Sequence, residues 1–170
     1  NSDGRGWHFE DPIARGELAI QDPVEDESGR VEAVASFYAP TDWTNYGQLG
    51  QSVLEHPVVV RSGYHGPFVP RELDEATRTY QAVTDPARVR AWLGRVSPVS
   101  HVSKSSAPAL LFQGEKDENV PLQQAKAMAD ALQSAGVACD LQIKSGAGHG
   151  WDYDPADMTR VADWFDHHLR

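Results

Sequence analysis

Asp117 and His149 are the two residues of this sequence whose types and settings allow them to do chemistry together. Asp117 lies in the loop Gly114-Glu115-Lys116-Asp117-Glu118-Asn119-Val120-Pro121, and His149 in Gly146-Ala147-Gly148-His149-Gly150-Trp151. A carboxylate beside an imidazole fixes which ring nitrogen carries the hydrogen. It also stabilises the imidazolium formed when the ring takes a proton from a serine hydroxyl. Taken singly, the Asp reads as a turn former and the His as an ordinary loop residue. Their weight comes from the pair, because each follows an apolar run that reads as a strand. Glu115 and Glu118 compete for the role of acid, whereas Asp152 and Asp154 are too close in sequence to His149 to suit a strand-end geometry as well.

Those loops require particular elements to bring them together. Ala109-Leu110-Leu111-Phe112 reads as a short buried strand ended by Gly114, within a strand expected near 109–113. Pro121 opens a helix over 121–135, with Leu122, Ala125, Met128, Ala129 and Leu132 on one face and Gly136 at its C-terminal cap. Val137, Cys139, Leu141 and Ile143 alternate with polar residues, which predicts a half-exposed or edge strand near 137–144. Asp154-Pro155 begins a last helix with an apolar stripe of Met158, Val161, Ala162, Phe165 and Leu169. If the two strands are parallel neighbours, both loops emerge at their carboxyl ends on one edge of the sheet.

The rest of the chain is less regular. Residues 1–30 read as an irregular lead-in of turns, through Asp11-Pro12, Asp22-Pro23 and Glu25 to Gly29. The apolar stretch 31–38, ended by Pro40, reads as a parallel strand covered on both faces. Residues 41–107 read as a mostly helical connection, with helix-like patches near 48–54, 71–82 and 86–94; Asp85-Pro86 starts the last of these. The whole is an α/β arrangement of parallel strands near 31–38, 109–113 and 137–144 with flanking helices, in one partial domain.

Composition removes several classes. The chain has 170 residues, a hydrophobic fraction of 40% and a charged fraction of 24%, which suit a folded domain. A formal charge of −10 and the lack of any Lys/Arg-rich run argue against nucleic acid as a partner. Cys139 is the single cysteine, so an intramolecular disulfide and a cysteine-based zinc cluster are excluded. No apolar run reaches the about 20 residues that a membrane-spanning helix needs. Residues 1–6 have neither the basic start nor the apolar stretch of an export signal. His167-His168 reads as a solvated helix end, His65 as a loop residue, and Trp151 as either lining a substrate pocket or, by preference, packing under the His149 loop.

The segments Phe37-Tyr38-Ala39-Pro40-Thr41-Asp42, Ser97 to Val102, Pro108 to Pro121 and Gly146 to Gly150 resemble the C-terminal half of α/β-hydrolase esterases. The acetyl-xylan and feruloyl esterase-like lipases are the nearest in pattern, with prolyl oligopeptidases and dienelactone hydrolases further off. The resemblance implies Asp117 as triad acid, His149 as triad base, a small ester substrate, and no metal or organic cofactor. It also implies a nucleophile elbow, G-x-S-x-G, which is absent; Ser62 and Ser134 lack the flanking glycines. The expectation is that residue 1 falls downstream of the nucleophile helix of a longer protein. A peptidase of the prolyl oligopeptidase type and a non-catalytic hydrolase-like fragment are the alternatives. Strand 31–38 would then have an open edge, so the isolated chain is expected to be poorly stable or to associate.

Overall fold

The computed structural model describes residues 31–63, 66–152 and 154–169. The expectations for residues 1–30 and for His65 lie outside the described residues. In chain order the elements are β1 (Val34–Phe37), α1 (Pro57–Ser62), β2 (Arg71–Asp74), β3 (Thr79–Ala82), α2 (Pro86–Val96), β4 (Ala109–Gly114), α3 (Leu122–Ser134), β5 (Cys139–Lys144) and α4 (Pro155–His168). Short 3-10 turns at Val53–Glu55, Gly66–Phe68 and Pro98–His101 complete the connection between β1 and β4.

β1, β4 and β5 form a parallel sheet in the order β1-β4-β5. The register sets Phe37 beside Phe112, and Gly114 beside Lys144. All six residues of β4 are buried, as a central strand with neighbours on both edges demands. Burial of side chains such as Leu110 and Phe112 contributes about 1.5–3 kcal/mol each, and this anchors the strand that leads to Asp117. β1 departs from the expectation of a strand covered on both faces: its four residues are only half-buried. It is an outer strand among the described residues, so it lacks the second neighbour that protects β4.

α3 crosses from β4 to β5 and buries Ala125, Ala129 and Leu132. Ala129 and Leu132 pack with Ala109, Leu111 and Val137 into one core. Gly136 ends the helix at a φ of +75°, the left-handed backbone that its position predicts. A second core gathers Tyr46, Val53, Val59 and Leu93 from the connection. Gln124 joins it to the sheet layer. Its Oε1 accepts from Thr41 N at 2.8 Å and Asp42 N at 2.7 Å, and its Nε2 donates to Asn45 O at 2.9 Å. α4 starts as expected, with Asp154 accepting from Ala156 N. Its apolar stripe is poorly covered among the described residues: Met158 and Leu169 are exposed.

The connection departs from the mostly helical reading at two of its three patches. The 71–82 patch is an antiparallel hairpin of β2 and β3. Glu, Leu, Ala and Gln favour helix there, but Asp74 Oδ1 accepts from the backbone of Ala76 and Thr77. This local capture of two N–H groups closes a turn in place of a helical ladder. The 48–54 patch contributes only the start of the 3-10 turn at Val53–Glu55, and the helix lies further on, at α1. The third patch is α2, with Asp85 accepting from Arg88 N at 2.8 Å. No helix among the described residues is long and apolar enough to cross a membrane.

Candidate active site

The loop after β4 folds around the Asp117 carboxylate. Oδ1 accepts from the backbone N–H groups of Asn119 and Val120, each at 2.9 Å. Oδ2 accepts from Gln113 Nε2 at 2.9 Å. Gln113 is fully buried in an otherwise apolar strand, and its Nε2 also donates to Val120 O. The Asp117 side chain has no exposed surface, so these donors replace the water it has lost. Tyr46 braces the far side of the loop by donating its hydroxyl to Asn119 O at 2.9 Å.

His149 stands at the centre of a three-residue turn, closed by Gly150 N donating to Gly148 O at 3.0 Å. Gly150 has a φ of +107°, which a residue with a side chain adopts only under strain. The turn is held on both flanks. On one side, Lys116 N donates to Ala147 O at 2.8 Å, and Glu115 accepts from Gly146 N at 2.8 Å and from Ser145 Oγ at 2.9 Å. The Gly146 N–H, then the Ser145 hydroxyl, hold the Glu115 carboxyl below the usual carboxylate range. On the other side, Lys144 Nζ pairs with Asp157 at 2.8 Å and Asp154 at 3.0 Å, while Trp151 Nε1 donates to Asp157 at 3.0 Å.

These two loops bring Asp117 and His149 together. Nδ1 of His149 lies 2.9 Å from Oδ2 of Asp117. Because the carboxylate accepts, the pairing assigns the hydrogen to Nδ1 and leaves the lone pair on Nε2. The His149 side chain is 37% exposed, so the imidazole is accessible while its partner is sealed. The competing acids are elsewhere: Glu115 ties the loops, Glu118 is exposed, Asp152 is exposed, and Asp154 caps α4 and pairs with Lys144. Ser62 ends α1 with its Oγ donating to Val59 O, and Ser134 ends α3. Trp151 packs against Phe37 and Tyr38, as its packing role predicts. No cluster of three or more metal-ligating side chains occurs among the described residues.

Three contributors escaped the sequence reading. Gln113 carried a usable signal, a polar residue inside an apolar strand. Tyr38, whose ring lies 4.6 Å from the His149 ring, and Tyr46 reach the site from distant sequence and carried none. Burial, and secondarily the charge of Asp117, raise Tyr46 from 10.0 to about 12. The unfolded chain therefore releases this proton near pH 10 while the folded one holds it to about pH 12. The folded state binds more protons in that window, so its stability falls as pH rises through it. Alkaline melts should show Tyr46→Phe losing about 2–3 kcal/mol less stability between pH 10 and 12 than the parent. Equal losses in the two proteins would contradict the burial of an un-ionised phenol.

Comparison with known proteins agrees with this architecture. The model of the prolyl oligopeptidase family matches residues 70–170. Esterase LipQ of Mycobacterium tuberculosis is 30% identical over 153 residues, covering 88% of this chain and 31% of that protein. The probable carboxylic ester hydrolase LipM of the same organism is 29% identical over 114 residues, covering 67% of this chain and 22% of that protein. This chain thus spans a third or less of the length of these relatives. A truncated form of a carbohydrate esterase from gut microbiota shares the fold, with a TM-score of 0.61 at 20% identity over 84% of this chain and 44% of that one. The fold is that of the esterase-like α/β-hydrolases, and the chain belongs to the prolyl oligopeptidase family.

Proposed function

We propose that Asp117 and His149 are the acid and base of a serine-hydrolase site that cleaves carboxylic esters, with the serine supplied from outside these 170 residues. The observation that carries this reading is the 2.9 Å contact between a sealed carboxylate and an imidazole whose side chain is 37% exposed. In the complete enzyme a serine hydroxyl placed at Nε2 loses its proton to His149 as it attacks the ester carbonyl. Asp117 holds the ring in the required tautomer and stabilises the imidazolium. His149 then protonates the leaving alcohol, and water releases the acyl group by the same steps in reverse order. Backbone N–H groups beside the serine stabilise the oxyanion. Acyl transfer of this kind needs no metal or organic cofactor.

The test uses a p-nitrophenyl ester and a fluorophosphonate probe. The complete protein should turn over the ester and take up the probe on a serine outside this sequence. His149→Ala should abolish both. Probe attached to a serine of this chain alone would instead make the site self-contained and overturn the shared-site reading. The family match favours a peptidase as the second reading. Faster cleavage of a proline-containing peptide than of any ester would establish it. The open edge of β1, paired only with β4 among the described residues, is proposed to take a further strand. On size exclusion the isolated chain should then elute as an associated species, and a cooperatively melting monomer would refute that.

A further inference from the structure

We infer that Tyr38 is a positioning residue for His149: a left-handed turn at the end of β1 swings its ring onto the imidazole and sets the plane in which Nε2 faces the serine. This rests on the reading of His149 as the base. Successive residues of a strand point to opposite faces, so Phe37 and Tyr38 should diverge. They do not. Tyr38 has a φ of +42°, and its ring lies 6.3 Å from that of Phe37. Both rings reach Trp151, Phe37 at 6.0 Å and Tyr38 edge-on at 5.7 Å. An aromatic residue adopts left-handed backbone only where its surroundings over-determine it, and such strain concentrates at functional sites.

The surroundings of Tyr38 meet that condition. Its backbone N–H donates to Phe112 O at 2.7 Å, and the preceding Phe37 stacks on Phe112 at 4.5 Å and 5°. The turn at the end of β1 is therefore anchored to the buried central strand that also leads to Asp117. Its product is the contact of the Tyr38 ring with the imidazole, at 4.6 Å and a 56° tilt. The imidazole needs such a contact. One hydrogen bond to Asp117 restrains the ring at a single edge atom and leaves its tilt to the side-chain torsions. The flanking Gly148 and Gly150 have no side chains to limit that tilt. The aromatic contact removes this freedom. It also lies within the about 6 Å at which an aromatic ring can attract a cation, which favours the imidazolium formed during acyl transfer.

The test compares Tyr38→Phe, Tyr38→Ala and Tyr38→Gly in the complete protein, by nitrogen–proton NMR of labelled histidine. The parent and Tyr38→Phe should show one sharp His149 spin system with the hydrogen on Nδ1. Tyr38→Ala and Tyr38→Gly should show a broadened or lost Nδ1–H signal. Glycine accepts the left-handed backbone without strain, so Tyr38→Gly removes the ring while sparing the turn. Unchanged His149 signals in a folded Tyr38→Gly would overturn the inference. So would unfolding of that variant, which makes the ring purely structural, or an equal loss in Tyr38→Phe. In the complete protein, kcat for an ester should fall about 10-fold in the Ala and Gly variants at unchanged KM, with Tyr38→Phe within about 2-fold of the parent. Full turnover by His149→Ala would sink the active-site reading instead, while the NMR comparison would still decide the role of Tyr38.

Discussion

Asp117→Asn in the complete enzyme is expected to lower kcat for a p-nitrophenyl ester by about 10⁴-fold, the cost of the wrong histidine tautomer in a serine triad. The substitution keeps the shape of the side chain and changes its hydrogen-bonding character. The carboxylate now accepts from four donors: Asn119 N, Val120 N, Gln113 Nε2 and His149 Nδ1. An amide offers one acceptor oxygen. The two backbone donors keep that oxygen on their side, since both are fixed by the loop and neither can turn away. The NH₂ group then faces His149 and Gln113. To accept from it, His149 must move its hydrogen from Nδ1 to Nε2, which removes the lone pair that takes the serine proton. Stability should fall by only about 1–3 kcal/mol, because the donors left without an acceptor are few. A parent rate in a folded Asp117→Asn, with folding checked by circular dichroism, would end the assignment of Asp117 as the acid.

How much of this was legible in the sequence follows from the range of each interaction. β4 could be read because the apolar run Ala109 to Phe112, too short for a helix and followed closely by Gly114, suits a buried strand. The Asp85-Pro86 start of α2 is equally local, a side chain bonding three residues onward. The hairpin of β2 and β3 runs against its local pattern because helix formers fill 71–82, while the deciding event is the bonding of one side chain, Asp74, to its own turn. At the site, Asp117 and His149 stood out because each follows a strand-like run and sits in a glycine-containing loop. What holds them did not. Tyr46 meets Asn119 across 73 positions. Tyr38 meets His149 through a backbone turn that nothing in Phe37-Tyr38-Ala39 announces. Such contacts depend on how β1, β4 and β5 are ordered in the sheet, which periodicity along one strand does not contain.

Gly114 gives the second large effect, because the acid loop and the histidine loop touch there through backbone alone. A Cβ on Gly114 would lie 2.1 Å from Gly148 O and 2.7 Å from Ala147 O. No rotamer relieves this, since both obstacles are main chain and the added atom is fixed. The histidine loop must therefore retreat by roughly an ångström to restore ordinary contact. That loop is tied to the acid loop by Lys116 N to Ala147 O at 2.8 Å and by Gly146 N to Glu115 at 2.8 Å, so the retreat strains bonds on both sides. His149 is the next residue, and a displacement of that size disrupts its 2.9 Å contact with Asp117. Gly114→Ala should lower kcat by about 10²-fold, the scale of a 1 Å misplacement of a reacting group. It should also cost about 1–3 kcal/mol of stability, as overpacking does. Gly148→Ala is the control within the same loop: beyond its two chain neighbours a Cβ there meets nothing within 4 Å, and its φ is not in the left-handed range. That variant should keep most of its activity and its melting temperature. Equal behaviour of the two variants would show that the chemistry of the loop, and not the approach of the two backbones at Gly114, sets the position of His149.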